Sequence, residues 1–133
     1  MLVDDHELIR ASWKLLLNKA PNFEVIAQCG NGMDAIEQAI KLLPDVILMD
    51  INMSPVNGFE ATQKIMEIAT SIKIIGVSGN NNPRYATKLF SLGGKGFVTK
   101  TSAFDELIIA IQKVYEGETY ICQELRKKPA DEK

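Results

Sequence analysis

Short apolar runs alternate along the chain with longer segments whose apolar positions recur at helical spacing. Glu7 to Lys19 has the helical pattern and breaks at Ala20-Pro21-Asn22. Phe23 to Cys29 predicts a strand, and Gly30-Asn31-Gly32 a turn. Ala35, Ile36, Ala39, Ile40 and Leu43 form one apolar stripe, which Pro44 stops. Val46 to Met49 is uninterrupted and apolar, as a strand buried on both faces requires. A loop from Asp50 to Asn57 leads to a helix from Gly58 to Ala69. Ile72 to Val77 predicts a fourth strand, and Pro83 to Leu92 a helix ended by Gly93-Gly94. Gly96 to Thr99 is a fifth, short strand, and Phe104, Leu107, Ile108, Ile111 and Tyr115 mark a last helix. Met1 to Val3 supplies the end of the first strand. Five strands alternating with five helices predict an α/β fold: a doubly wound, five-stranded parallel sheet with helices on both faces. The domain is expected over 1–116, with 117–133 a linker or tail because periodicity is lost there.

Composition narrows the function classes. A chain of 133 residues suits one domain. Its net charge of -2 gives no electrostatic case for a nucleic-acid or anionic membrane surface. The basic cluster Arg126-Lys127-Lys128 is too small for the several phosphate contacts DNA binding needs. Cys29 and Cys122 are expected as reduced thiols of a cytoplasmic protein. No apolar run approaches the ~20 residues that span a bilayer, and no basic leader with a small-residue cleavage site is visible.

In doubly wound sheets the active crevice lies beyond the carboxyl ends of the strands. The residues there are Asp4-Asp5 after the first strand, Asp50 and then Asn52 after the third, Ser78 after the fourth and Lys100 after the fifth. Three crowded carboxylates repel one another at neutral pH and invite a hard cation. Mg²⁺ accepts carboxylate oxygens and keeps positions open for water and phosphate oxygens. Zn²⁺ is disfavoured because His6 is the sole histidine; it is expected to flank the pocket. With a lysine and a hydroxyl added, the set suits phosphoryl transfer to Asp50.

LVDDH at the start, DVILMDINM around Asp50, GVSG ending at Gly79 and GFVTK ending at Lys100 resemble the receiver domain of bacterial two-component response regulators. DDHELIR, NGMDAI and NGFEAT are most similar to the subfamily with a LuxR-type helix-turn-helix output. The resemblance covers residues 1 to about 116 and implies a flavodoxin-like receiver fold. It implies Mg²⁺ held by Asp4, Asp5, Asp50 and the backbone carbonyl of Asn52. It further implies Asp50 as phosphoacceptor, Ser78 and Lys100 on the phosphoryl group, and Phe97 as a switch aromatic that swings inward. The implied partners are a sensor histidine kinase or phosphotransfer protein, a second copy on phosphorylation, and DNA only through an output domain absent from these residues. Two departures lie near the site: proline falls at Pro55 rather than at Ser54, and Thr101 follows the lysine where proline or an acid is common.

Competing readings remain. An aspartate-based phosphohydrolase needs a second acid two residues after the nucleophile, where this chain has Asn52. A receiver-like interaction module that is never phosphorylated would not need the full set of acids, serine and lysine. Gly30-Asn31-Gly32-Met33-Asp34-Ala35 matches a dinucleotide-binding fingerprint. The chain is too short for two nucleotide-binding halves, the motif follows the second strand, and Asp34 would oppose a pyrophosphate. A tight turn and helix start is the simpler reading.

Overall fold

The computed structural model describes residues 1–102 and 104–126. The strands are β1 (Leu2–Val3), β2 (Gln28–Cys29), β3 (Val46–Asp50), β4 (Lys73–Ser78), β5 (Gly96–Thr99) and β6 (Tyr120–Ile121). The helices are α1 (Glu7–Asn18), α2 (Gly32–Leu42), α3 (Gly58–Ile68), α4 (Pro83–Ser91), α5 (Phe104–Tyr115) and α6 (Gln123–Arg126). All strands are parallel, in the order β2-β1-β3-β4-β5-β6. Local capping sets several helix starts. The Asn31 side chain accepts from the Asp34 N–H at 2.8 Å. Asn57 and Glu60 form a reciprocal capping box at α3, and Pro83 opens α4 behind Asn82.

The core divides by strand alternation. Ile47, Met49 and Val3 pack with Ala35 and Ala39 of α2 and Ala61 and Ile65 of α3. Leu2, Leu48, Ile75 and Val98 turn the other way, toward Leu17 of α1 and Ala110 and Val114 of α5. Two glycines make room for close approaches. A Cβ at Gly76 would lie 2.6 Å from Leu89 Cδ2 and 2.9 Å from Phe97 Cδ2. At Gly58 it would run into the Asp50 carbonyl oxygen and lie 2.7 Å from Ile51 Cα, so α3 begins tight against the end of β3.

The structure departs from the sequence reading at both sheet edges. The strand expected over Phe23–Cys29 is laddered only at Gln28 and Cys29, because β1 offers only Leu2 and Val3 as partners. At the other edge β6 makes a sixth strand inside the segment expected to be a tail. Tyr120, Cys122 and Leu125 of that segment are buried and join the core, so packed structure runs to Arg126. Lys127 and Lys128 of the basic cluster lie outside the described residues. Cys29 and Cys122 are free and buried. They sit near opposite edges of the sheet, five strand spacings of ~4.8 Å apart, far beyond the ~4.4–6.8 Å Cα separation of a disulfide. Among the described residues no helix is long and apolar enough to cross a membrane.

Candidate functional site

The carboxyl ends of β1, β3 and β5 bring Asp4, Asp50 and Lys100 together. Asp50 closes the apolar β3, and it and Asp4 are fully buried. Lys100 Nζ reaches between them, 3.0 Å from Asp4 Oδ2 and 3.3 Å from Asp50 Oδ1. Asp50 Oδ1 also accepts from the Asn52 N–H at 3.3 Å. Asp50 Oδ2 is buried and has no hydrogen-bond partner among the described residues.

His6 enters the pocket more directly than the sequence suggested. Its backbone N–H donates to Asp4 Oδ1 at 2.8 Å. Its Nδ1 lies 2.8 Å from Asp4 Oδ1 and 3.0 Å from Asp5 Oδ1. One ligand atom from each of Asp4, Asp5, His6 and Asp50 falls within 4.8 Å of the others. Below them, Arg10 Nη1 donates to the Asp4 carbonyl at 2.6 Å and ties α1 to the end of β1. Sequence reasoning missed Arg10; its position one turn into the helix after the acids was the available signal.

Electrostatics separate the two buried acids. The Asp50 carboxyl is pushed up to about 6, first by burial and then by the charge of Asp4, against Lys100 and the Asn52 N–H. Burial also opposes the charge of Asp4, but the His6 N–H, Lys100 and the His6 ring outweigh it and hold Asp4 below the ordinary carboxylate value. Burial opposes the Lys100 charge as well, yet its contacts with Asp4 and Asp50 win and raise its pKa. At neutral pH the pocket therefore holds two ionised buried carboxylates against one ammonium. An unpartnered carboxylate oxygen in that setting fits a further cation with a preference for oxygen.

Ser78 ends β4 beside β5, fully buried, and its Oγ accepts from the Asn80 N–H at 2.9 Å. The Lys100 N–H donates to the Ser78 carbonyl at 2.8 Å, which joins the two segments by backbone. Phe97 lies on β5, three residues before Lys100. It is fully buried within the core, with its ring against Gly76. The Ser54-Pro55 peptide in the loop after Asp50 is cis.

Residues 1–112 match the model of the response regulator receiver domain family. The chain is 39% identical over 121 residues to the transcriptional regulatory protein DegU of Brevibacillus brevis, covering 91% of this chain and 51% of that protein. It is 32% identical over 126 residues to the oxygen regulatory protein NreC of Staphylococcus epidermidis, covering 94% of this chain and 58% of that protein. The chain thus spans little more than half the length of these relatives. A solved two-component response regulator of the LuxR family from Aurantimonas sp. SI85-9A1 superposes with a TM-score of 0.92 at 28% identity, covering 96% of this chain and 91% of that one. With the fold, the strand-end acids and these relatives in agreement, the chain belongs to the response regulator receiver family of two-component signalling, in its LuxR-type branch.

Proposed function

We propose that Asp50 is the phosphoacceptor of this receiver and that the acidic pocket works with Mg²⁺. The observation that carries the reading is the fully buried Asp50, with Lys100 Nζ 3.3 Å from Oδ1 and with Oδ2 unpartnered. Asp4, Asp5, Asp50 and the backbone carbonyl of Asn52 would hold the ion. Bound there, Mg²⁺ supplies positive charge to offset the phosphoryl oxygens.

The chain's own groups account for the rest. Above about pH 6 Asp50 is ionised, and a carboxylate oxygen can attack the phosphorus of a partner's phosphohistidine or of a small acyl phosphate, breaking the P–N bond to release the histidine imidazole or the P–O bond to release the free carboxylate. Lys100 stays in place to neutralise charge as it transfers. Ser78 Oγ accepts from Asn80, which leaves its own proton to donate to a phosphoryl oxygen. Phe97 then acts as the switch aromatic, held inward when Ser78 is drawn toward the phosphoryl group.

The physiological donor in this reading is a sensor histidine kinase or phosphotransfer protein in the cytoplasm. The chain catalyses only its own phosphorylation and dephosphorylation. Phosphorylation favours a homodimer and controls a DNA-binding output domain beyond this segment, as the description of DegU as a transcriptional regulatory protein suggests. The test is incubation with acetyl phosphate, with Mg²⁺ or with EDTA, followed by intact mass and free phosphate. The account expects one labile phosphoryl group per chain with Mg²⁺ and none with EDTA. Continuous phosphate release without limit would indicate a hydrolase, and no uptake an inert module.

A further inference from the structure

Two threonines flank Lys100, and their hydroxyls share one acceptor. Thr99 Oγ1 donates to Glu124 Oε1 at 2.8 Å, and Thr101 Oγ1 to the same oxygen at 3.2 Å. Ser102 Oγ, 3.2 Å from Thr99 Oγ1, extends the network. The second Glu124 oxygen, Oε2, accepts from Asn81 Nδ2 at 3.2 Å. Asn81 belongs to the loop that leaves Ser78. One carboxylate, 25 residues from Thr99 in sequence, therefore bridges both loops that carry the phosphoryl-contacting side chains. Thr101 is the residue that departs from the family's usual proline or acid.

Independent anchors seat Glu124. β6 pairs Tyr120 with Gly96 and Ile121 with Phe97. The Cys122 N–H donates to the Phe97 carbonyl at 3.0 Å. Cys122 and Leu125 are buried in the core. At the far side of the segment, Glu106 Oε2 accepts from the Tyr120 hydroxyl and from the Gln123 N–H, each at 2.7 Å. The segment is thus fixed to β5 and α5, and Glu124 projects from it onto the site's loops.

We propose that Glu124 is a positioning residue for phosphoryl transfer, and that it makes β6 and α6 part of the site rather than a spacer behind it. It fixes the chain on both sides of Lys100 and the loop after Ser78, and so holds the ammonium in register with Asp50. By reciprocity, whatever pulls on α6 changes the site, and phosphorylation changes the hold on α6. The inference rests on the receiver reading above for its chemistry, but its geometry stands without it.

Three variants test it: Glu124→Ala, Glu124→Gln and Tyr120→Phe. Hydrogen exchange of the Lys100 amide and the rate of phosphoryl uptake from acetyl phosphate are read for each. Glu124→Ala should speed Lys100 exchange roughly tenfold by local opening. It should slow uptake roughly tenfold, as a small misplacement of a charge-neutralising group does. Glu124→Gln keeps an amide oxygen for both threonines and offers an NH2 to which Asn81 can turn its own amide oxygen, so it should restore most of the rate. Tyr120→Phe removes one anchor of the segment but keeps the Glu124 carboxylate and its ties to both loops, so it should lower the melting temperature and shift both readouts far less than Glu124→Ala does. Wild-type exchange and uptake in Glu124→Ala would overturn the proposal. So would equal effects from Tyr120→Phe, since the segment would then matter only for stability. Should wild type take up no phosphoryl group, the receiver reading fails, and Lys100 exchange alone still decides the role of Glu124.

Discussion

The two rims of the crevice are built on opposite principles. On the β1–β3 side, Asp4, Asp5 and Asp50 crowd together, two of them fully buried, with one carboxylate oxygen of Asp50 unpartnered. On the β4–β5 side, Ser78, Thr99, Thr101 and Ser102 are neutral hydroxyls with hydrogen bonds to backbone, to one another or to Glu124. Among the described residues, only Lys100 crosses from the satisfied rim to the acidic one. The difference separates two jobs. Unsatisfied charge suits a site that takes up a cation and a phosphoryl group, whereas a closed hydrogen-bond network suits a region that holds geometry.

The strongest challenge to this division is to remove the group that joins the rims. Lys100→Ala strands two buried carboxylates, and losing one partner of a buried ion pair costs about 3 kcal/mol or more. Urea unfolding at pH 7 in EDTA should show a loss of that size, and added Mg²⁺ should recover part of it. A loss under 1 kcal/mol would mean that the acidic rim is not held by Lys100.

The next test lowers the charge instead. Burial raises the Asp50 carboxyl to about 6 from the ordinary 3.8, so the folded chain binds this proton more tightly than the unfolded one. Stability contributed by this group is therefore greatest below about pH 4 and falls as pH rises toward about 6. Asp50→Asn removes that cost, and at pH 7 in EDTA it should stabilise the protein by roughly 1–3 kcal/mol. The gain should shrink as pH is lowered to about 4. A gain that is constant with pH would show that Asp50 does not carry the electrostatic strain.

The satisfied rim should respond least. Thr101→Val deletes an exposed hydroxyl that bonds both Glu124 and Thr99, so the expected loss is about 0.5–1 kcal/mol, with no change in its pH dependence. Thermal melts at pH 5 and pH 7 check this. A pH-dependent loss would mean that the two rims are electrostatically coupled and not separate.

The acidic rim was legible in the sequence because each member directly follows a strand, and the strand pattern alone places it. Asp4 and Asp5 follow Leu2–Val3, Asp50 closes an unbroken apolar run, and Lys100 follows Gly96–Thr99. The hydroxyl rim was only half legible. Ser78 ends β4 as expected, but the tie from Thr99 and Thr101 to Glu124 spans the whole of α5 and leaves no local signature. β6 pairs through only Tyr120 and Ile121, too few residues to show a period, so its place in the core is a tertiary fact. The extended run before Gln28 failed to become a strand for a related reason: a ladder needs a partner, and β1 supplies Leu2 and Val3 only. Phe97 could be marked from its place before the lysine, but its burial depends on the missing side chain at Gly76, across the β4–β5 ladder.

The central claim is that Asp50 is the atom-level acceptor, and intact mass measurement of wild type and Asp50→Asn after acetyl phosphate and Mg²⁺ tests it most directly. The account predicts one added phosphoryl group on wild type and none on Asp50→Asn, with the variant folded and at least as stable as wild type. Equal labelling of the two proteins would contradict it and place the acceptor elsewhere in the chain.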